Sequence, residues 1–362
     1  MPRTAASNAG WTTLTAEDGV VYVVLPTGTV LALDATDRGA ELWRYPVAQE
    51  SGGGGLGGLF GGRSARDAQP PLQAVFGTPE VTGDMVLATT FDGLVYAFNR
   101  TNGRVLWTLS VDEAVVGGVT VHDGVAYYGS SDYAIYAVDI ETQDPVWDEP
   151  FKTGNWVWGA PAVDDERVYV GSMDRHVYAI DRATGREVWR ADIGSSVPGR
   201  VTLSNGVLFV GGVDNRLHAL DKETGQELWQ TEDLGGWVWG EAFVHEGVVY
   251  FGSLNGQVHA RQVSDGAVHW SPIAVDGAVR AGPAFIPERE LLIVATNTGS
   301  VYTIQIENGM EELIYNTGGT PVLSTPAIEG DTIYLGTTAG NVYALDLTRR
   351  DPIVWTFPEN IR

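Results

Sequence analysis

Short apolar runs, broken every few positions by polar turn residues, recur along the whole chain. The clearest copy reads Val168-Tyr169-Val170-Gly171, then Ser172-Met173-Asp174-Arg175, then Val177-Tyr178-Ala179-Ile180, then Thr184-Gly185, and ends on Trp189. Runs of four or five residues rich in Val, Ile and Tyr between such turns predict strands. A segment such as Ala160-Pro161-Ala162-Val163 supplies a strand ahead of these, so each copy predicts four. The second and third strands meet at an Asp/Asn-Gly class of turn, at Asp92-Gly93 and Asn255-Gly256, with variants at Asp174-Arg175 and Asp214-Asn215. Such residues tolerate positive φ. Thr184-Gly185 and Thr224-Gly225 mark the turn into the fourth strand. No apolar stripe of helical period reaches useful length.

The fourth-strand tryptophan marks the repeat. It falls at Trp43, Trp107, Trp147, Trp189, Trp229, Trp270 and Trp355, and Tyr315 takes the remaining slot. Successive intervals are 64, 40, 42, 40, 41, 45 and 40 residues. A period near forty with strand patterning inside it specifies a β-propeller. The expected fold is all-β, with eight four-stranded blades over residues 10–362 and a tail at 1–9. Blade eight is complete in its own sequence. The aromatic columns are assigned to the core, because blades need large side chains between them.

One interval is too long. Residues 48–73 form an insertion centred on a glycine-rich run from Ser51 to Gly62. No Gly-Lys-Ser/Thr follows, so it is not a phosphate-binding loop. Leu56, Leu59 and Phe60 give it apolar hooks for a partner.

Composition narrows the function. The chain has 46 acidic and 22 basic residues, a net charge of −24, and only two lysines, Lys152 and Lys222. Such a surface disfavours nucleic acid and anionic lipid as partners; it also suits a high-salt habitat. Cysteine is absent, which removes disulfides, thiolate catalysis and Cys–zinc sites. No apolar run approaches the length of a membrane span. Met1 to Ser7 lacks an apolar stretch, so the native protein is either cytoplasmic or has lost an export segment. His218 and His259 fall in the Tyr178 column and read as core; the spacing of the six histidines indicates no metal. No Gly-x-Ser-x-Gly elbow is present. Nothing marks a catalytic residue.

The departures from the repeat are more informative. Trp156-Val157-Trp158-Gly159 and Trp237-Val238-Trp239-Gly240 precede blades four and six. Aligning the copies puts Phe76, Val116, Trp158, Pro198, Trp239, Arg280 and Leu323 in one column, where the chain enters the innermost strand at the channel mouth. Two residues on, the column reads Thr78, Gly118, Ala160, Arg200, Glu241, Gly282 and Thr325. Arg200 and Glu241 would lie at one height on adjacent strands, and a buried charge calls for a partner, so an ion pair is expected. Exposed tryptophan tends to mark an interface. Trp156, Trp158, Trp237, Trp239, Arg280, Arg200 and Glu241, with Leu56, Leu59 and Phe60, are therefore the candidate binding residues.

The Val-Tyr-Val-Gly-Ser-x-Asp-x-x-Val-Tyr-Ala-Ile-Asp-x-x-Thr-Gly-x-x-x-Trp copies resemble the pyrroloquinoline-quinone (PQQ) type of propeller repeat, over 10–355. That family includes quinoprotein alcohol dehydrogenases and BamB-like outer-membrane assembly scaffolds. The resemblance implies for the enzymes a pair of adjacent cysteines, long insertions and calcium-holding carboxylates. This chain has no cysteine. The expectation is a monomeric, non-enzymatic scaffold without PQQ or calcium. It would bind a protein at the channel mouth, in an exported or envelope-associated assembly if an export segment is missing. The alternatives are a quinone- or small-molecule-binding enzyme and the sensor domain of a longer membrane-anchored protein.

Overall fold

The computed structural model describes residues 10–46 and 71–359. In blade 1, β1 (Thr13–Glu17) pairs with β2 (Val20–Val24), β2 with β3 (Val30–Asp34), and β3 with β4 (Ala40–Tyr45), each antiparallel. Seven further four-stranded sheets repeat this order at 80–110, 120–152, 162–192, 202–230, 243–274, 284–316 and 327–357. Among the described residues every sheet takes its four strands from consecutive sequence. Among the described residues no helix is long and apolar enough to cross a membrane.

Burial follows the layers of the blade. The second and third strands are almost wholly enclosed, as in Val20–Val24 and Val30–Asp34, so they read as continuous apolar runs. The fourth strand, at the rim, alternates or stays open, as in Val105–Ser110. The core is divided into eight clusters, each shared by two adjacent blades. Tyr127, Ile135 and Trp147 pack with Val168, Val170 and Ile180, for example. Leu14, Val21 and Leu31 of the first blade pack with Tyr334, Ala344 and Trp355 of the last. The turns take the expected conformations: φ is +79° at Arg175, +68° at Asn215 and +80° at Gly256.

The tryptophan column joins neighbours. Six of its seven indoles, all but Trp107, lie on the glycine turn that leads into the fourth strand of the next blade and donate their N–H to a carbonyl there. Trp43 reaches Arg100 O, Trp147 reaches Arg182 O, Trp189 reaches Lys222 O and Trp229 reaches Val263 O, at 2.8–3.0 Å. Gly103, Gly185, Gly225 and Gly266 sit beneath those rings, and a Cβ on any of them would strike the indole. This close approach is why glycine recurs in that turn.

Two copies depart from the pattern. Gln143 replaces glycine in blade 3 at φ +64°, and its side-chain Nε2 donates to Ile140 O at 3.2 Å. That carbonyl is the acceptor Trp107 would use. Tyr315 is not in the tryptophan column, contrary to the expectation from spacing. It pairs with Val301, whereas Trp189 pairs with Ala179, two positions further along the third strand. The bulge has moved as well, and Tyr315 packs on Tyr343 instead. The physical reason lies next door. The turn of blade 8 carries Thr348-Arg349-Arg350, with no glycine to receive an indole.

Candidate functional site

The segment entering the innermost strand is pinned by a buried valine in blades 2 to 8, and by Thr12 over Gly336 in blade 1. Val157, Val197, Val238 and Val279 are buried, and their methyls fill notches over Gly129, Gly171, Gly211 and Gly252 of the preceding blade. In an extended segment alternate side chains point to opposite sides. Burying the valine therefore turns its two neighbours toward the channel mouth. Trp156 and Trp158 flank Val157, and Trp237 and Trp239 flank Val238. The column from Phe76 to Leu323 and the one from Thr78 to Thr325 together line a cavity of about 340 Å³ there.

The four tryptophans come together. Trp156 stacks on Trp158 with centroids 5.2 Å apart and planes at 11°. Trp237 stacks on Trp239 at 6.3 Å and 20°. Trp158 and Trp239 approach to 6.5 Å across blade 5, whose Pro198 lines the same cavity. The inner pair is half-buried, while Trp156 and Trp237 are 41% and 44% exposed. So the inner rings close the mouth and the outer rings face solvent.

The arc extends further than the sequence suggested. The Arg280 guanidinium lies 4.2 Å from the Trp239 centroid and 4.5 Å from that of Trp11. Trp11 meets Phe76 edge-on at 4.6 Å, and Phe76 meets Phe91 at 5.7 Å. Trp11 brings blade 1 into the arc: it precedes Trp43 by 32 residues, close to the 31 between Trp158 and Trp189. That spacing was the available signal. Phe91, 50% exposed, stands in the turn between the second and third strands, which reaches the same face as the entering segment.

Charge at the mouth is sparse. Arg200 and Glu241 pair at 3.7 Å, but the side chains are 44% and 36% exposed. The pair is therefore not the buried bridge that the sequence predicted; its column opens onto channel water, and such pairs contribute under about 1 kcal/mol. Glu80, which the sequence reading missed, also lines the cavity. Burial raises its pKa above the ordinary carboxylate value, opposed by the charge of Arg200. Arg280 has its pKa lowered by burial, and its Nε is enclosed without a hydrogen-bond partner. Leu56, Leu59 and Phe60 lie outside the described residues.

Other titratable clusters serve the frame. His218 is buried between Asp214, at 3.1 Å, and Glu227, at 2.7 Å. His259 is buried against Ser253 at 3.0 Å. His122, Asp123 and Asp165 bring three donor atoms within 4.8 Å of one another, a juxtaposition that sequence spacing did not show. Yet Arg182 already holds Asp123 at 2.8 Å, and His122 contacts Asp165 at 3.1 Å. This network lies at turns between first and second strands, on the face away from the mouth.

Calcium-bound PQQ is the group the repeat brings to mind, and the donor set tests it. Calcium takes six or more oxygens converging on one point. Among the described residues, the cavity offers two carboxylates, Glu80 and Glu241, one disfavoured as an anion and one engaged by Arg200. The mouth does not fit that cation.

Comparisons with known proteins agree with the architecture. A quinoprotein ethanol dehydrogenase of Pseudomonas aeruginosa is 30% identical over 155 residues, 38% of this chain and 22% of its own length. An outer membrane protein assembly factor BamB of Nitrosomonas eutropha is 27% identical over 156 residues, 37% of each chain. The alignments thus span well under half the length of these curated relatives. Among solved structures, the computationally designed Ika8 protein superposes with TM-score 0.76 and 18% identity, covering 95% of this chain and 98% of its own. BamB from Moraxella catarrhalis gives TM-score 0.70 and 18% identity, covering 92% of both. At that identity the likeness speaks to the fold. A family model described as outer membrane protein assembly factor BamB matches residues 38–155 and 214–351. That match takes in more than half of the chain, and with its eight four-stranded blades the chain belongs to the BamB family of β-propellers.

Proposed function

We propose that the protein is a non-enzymatic scaffold that binds a protein partner at the mouth of its channel, in an exported or envelope-associated assembly. The observation that carries this reading is the pair of Trp-Val-Trp segments. The repeat requires only the valine, yet four indoles stack at the mouth and two present broad faces to solvent. Large, rigid aromatic side chains are the residues that dominate interface energetics. The BamB-family membership supports the same reading. The donor set described above supports a second element of it: the chain works without bound PQQ or calcium.

Affinity capture from the membrane fraction of the source cells, read by mass spectrometry, tests it. Trp156→Ala with Trp237→Ala should lose the partner that the wild type retains, while the unfolding midpoint stays close to wild type. Unchanged capture by the folded double variant removes the mouth as the site. PQQ with calcium should leave the indole fluorescence unchanged at micromolar cofactor; saturable quenching with alcohol-dependent dye reduction would establish the dehydrogenase reading instead.

A further inference from the structure

Two arginines line the cavity, and they differ in what they face. Arg200 has Glu241 beside it, and Glu80 lies within reach of its charge. Arg280 has no carboxylate within salt-bridge distance among the described residues. Its guanidinium lies instead against two rings, 4.2 Å from the Trp239 centroid and 4.5 Å from that of Trp11. Nε is enclosed without a hydrogen-bond partner, and the side chain lines the cavity. The edge of a guanidinium is a fork of parallel N–H donors matched to a carboxylate.

We propose that the edge of Arg280 anchors a carboxylate on an acidic side chain of the partner protein, with that residue's apolar neighbours lying on Trp156 and Trp237. This rests on the protein-binding reading above and names the chemistry of the partner. Charge complementarity favours it locally although the protein carries −24 overall. Glu241 pairs with Arg200, and the charge of Arg200 also acts on Glu80, so Arg280 is the guanidinium of the mouth without a carboxylate partner among the described residues. Size favours a protein segment over a free anion. An anion confined to a cavity of about 340 Å³ would leave Phe91, Trp156 and Trp237 in water. A segment crossing the mouth covers them and sets the acid at the centre, where hot-spot contacts concentrate.

The test uses the full chain and two blocked peptides, acetyl-Gly-Phe-Asp-Phe-Gly-amide and its Asn counterpart, followed by titration calorimetry. The Asp peptide should bind in the millimolar range or tighter, and the Asn peptide about tenfold more weakly, as loss of a charge-assisted pair predicts. Arg280→Met should erase that preference, Arg280→Lys should reduce it, and Arg200→Met should keep it. Arg280→Gln, which leaves a planar group against the rings, replaces Arg280→Met if the latter fails to fold. Equal binding of the two peptides, no binding of the Asp peptide, or a preference that survives loss of Arg280 overturns the inference. So does competition by glutarate as effective as the Asp peptide, which would mark a small-anion pocket. If Arg280→Met captures the same partner as wild type while Trp156→Ala/Trp237→Ala does not, this inference falls and the scaffold reading stands.

Discussion

The indole of Trp355 donates its N–H to Ala35 O at 3.2 Å, across 320 residues of sequence, and its ring lies over Gly39. The contact that joins blades 1, 3, 4, 5 and 6 to their successors therefore also joins the last blade to the first. Thr12 Oγ1 donates to Thr337 O at 2.6 Å alongside it. Closure here relies on side-chain packing between two complete blades rather than on a shared sheet.

This contact predicts a contrast between two glycines of blade 5. Gly225 has φ +71°, and an added Cβ would lie 2.5 Å from Trp189 Cε3. Gly206 has φ +83° and nothing within 4 Å. Gly206→Ala carries only left-handed strain, about 1 kcal/mol. Gly225→Ala adds displacement of the indole and should reach about 3 kcal/mol. Denaturant midpoints for the two variants decide it; equal losses would show that the ring moves freely.

Blade 3 allows the reverse experiment. Gln143→Gly removes the left-handed strain at φ +64° and frees Ile140 O for the Trp107 indole. A rise of about 1 kcal/mol in unfolding free energy is expected. A lower midpoint would mean that the Gln143 side-chain bonds outweigh the indole bond.

Glu80 sets a pH dependence of unusual sign. Its folded pKa lies above the ordinary 4.5 because burial disfavours the anion. Between 4.5 and the folded value the native state binds more protons than the unfolded one, so stability falls as pH rises through that window. Glu80→Gln should therefore stabilise the protein at neutral pH relative to wild type, with the gap narrowing below pH 4.5. Paired thermal melts at pH 4 and 7 measure this, and a gap that widens in acid would refute it.

His259 works in the opposite direction. Burial, assisted by Arg261, pushes its pKa down to about 4 from 6.5. As pH falls from 6.5 toward 4 the unfolded state takes up the proton first, so stability is lost across that interval. At 1.36 kcal/mol per unit the loss approaches 3 kcal/mol. His259→Tyr, the side chain of most other copies, should remove this part of the acid sensitivity. Identical acid profiles for wild type and variant would contradict the assignment.

The sequence by itself determined the blade count, the strand order within each blade, and the two columns that line the mouth. These follow from local pattern: apolar runs of strand length, turn residues that accept positive φ, and a period that places equivalent residues at equivalent heights. It also singled out Trp156, Trp158, Trp237 and Trp239, because two of every three residues in those segments exceed what the repeat needs. Spacing alone misassigned Tyr315, since one shifted bulge changes which residue faces the third strand. It missed Trp11, whose partner Arg280 comes from a blade far away in sequence, and Phe91, which meets the arc through Phe76 only once blade 2 is folded. Only the tertiary structure decided that Arg200 and Glu241 stand in water and that Arg280 lies against both Trp11 and Trp239. Closing the ring brings blades 1, 6 and 7 around one axis, and the exposure and partners of a side chain at that axis depend on all of them at once.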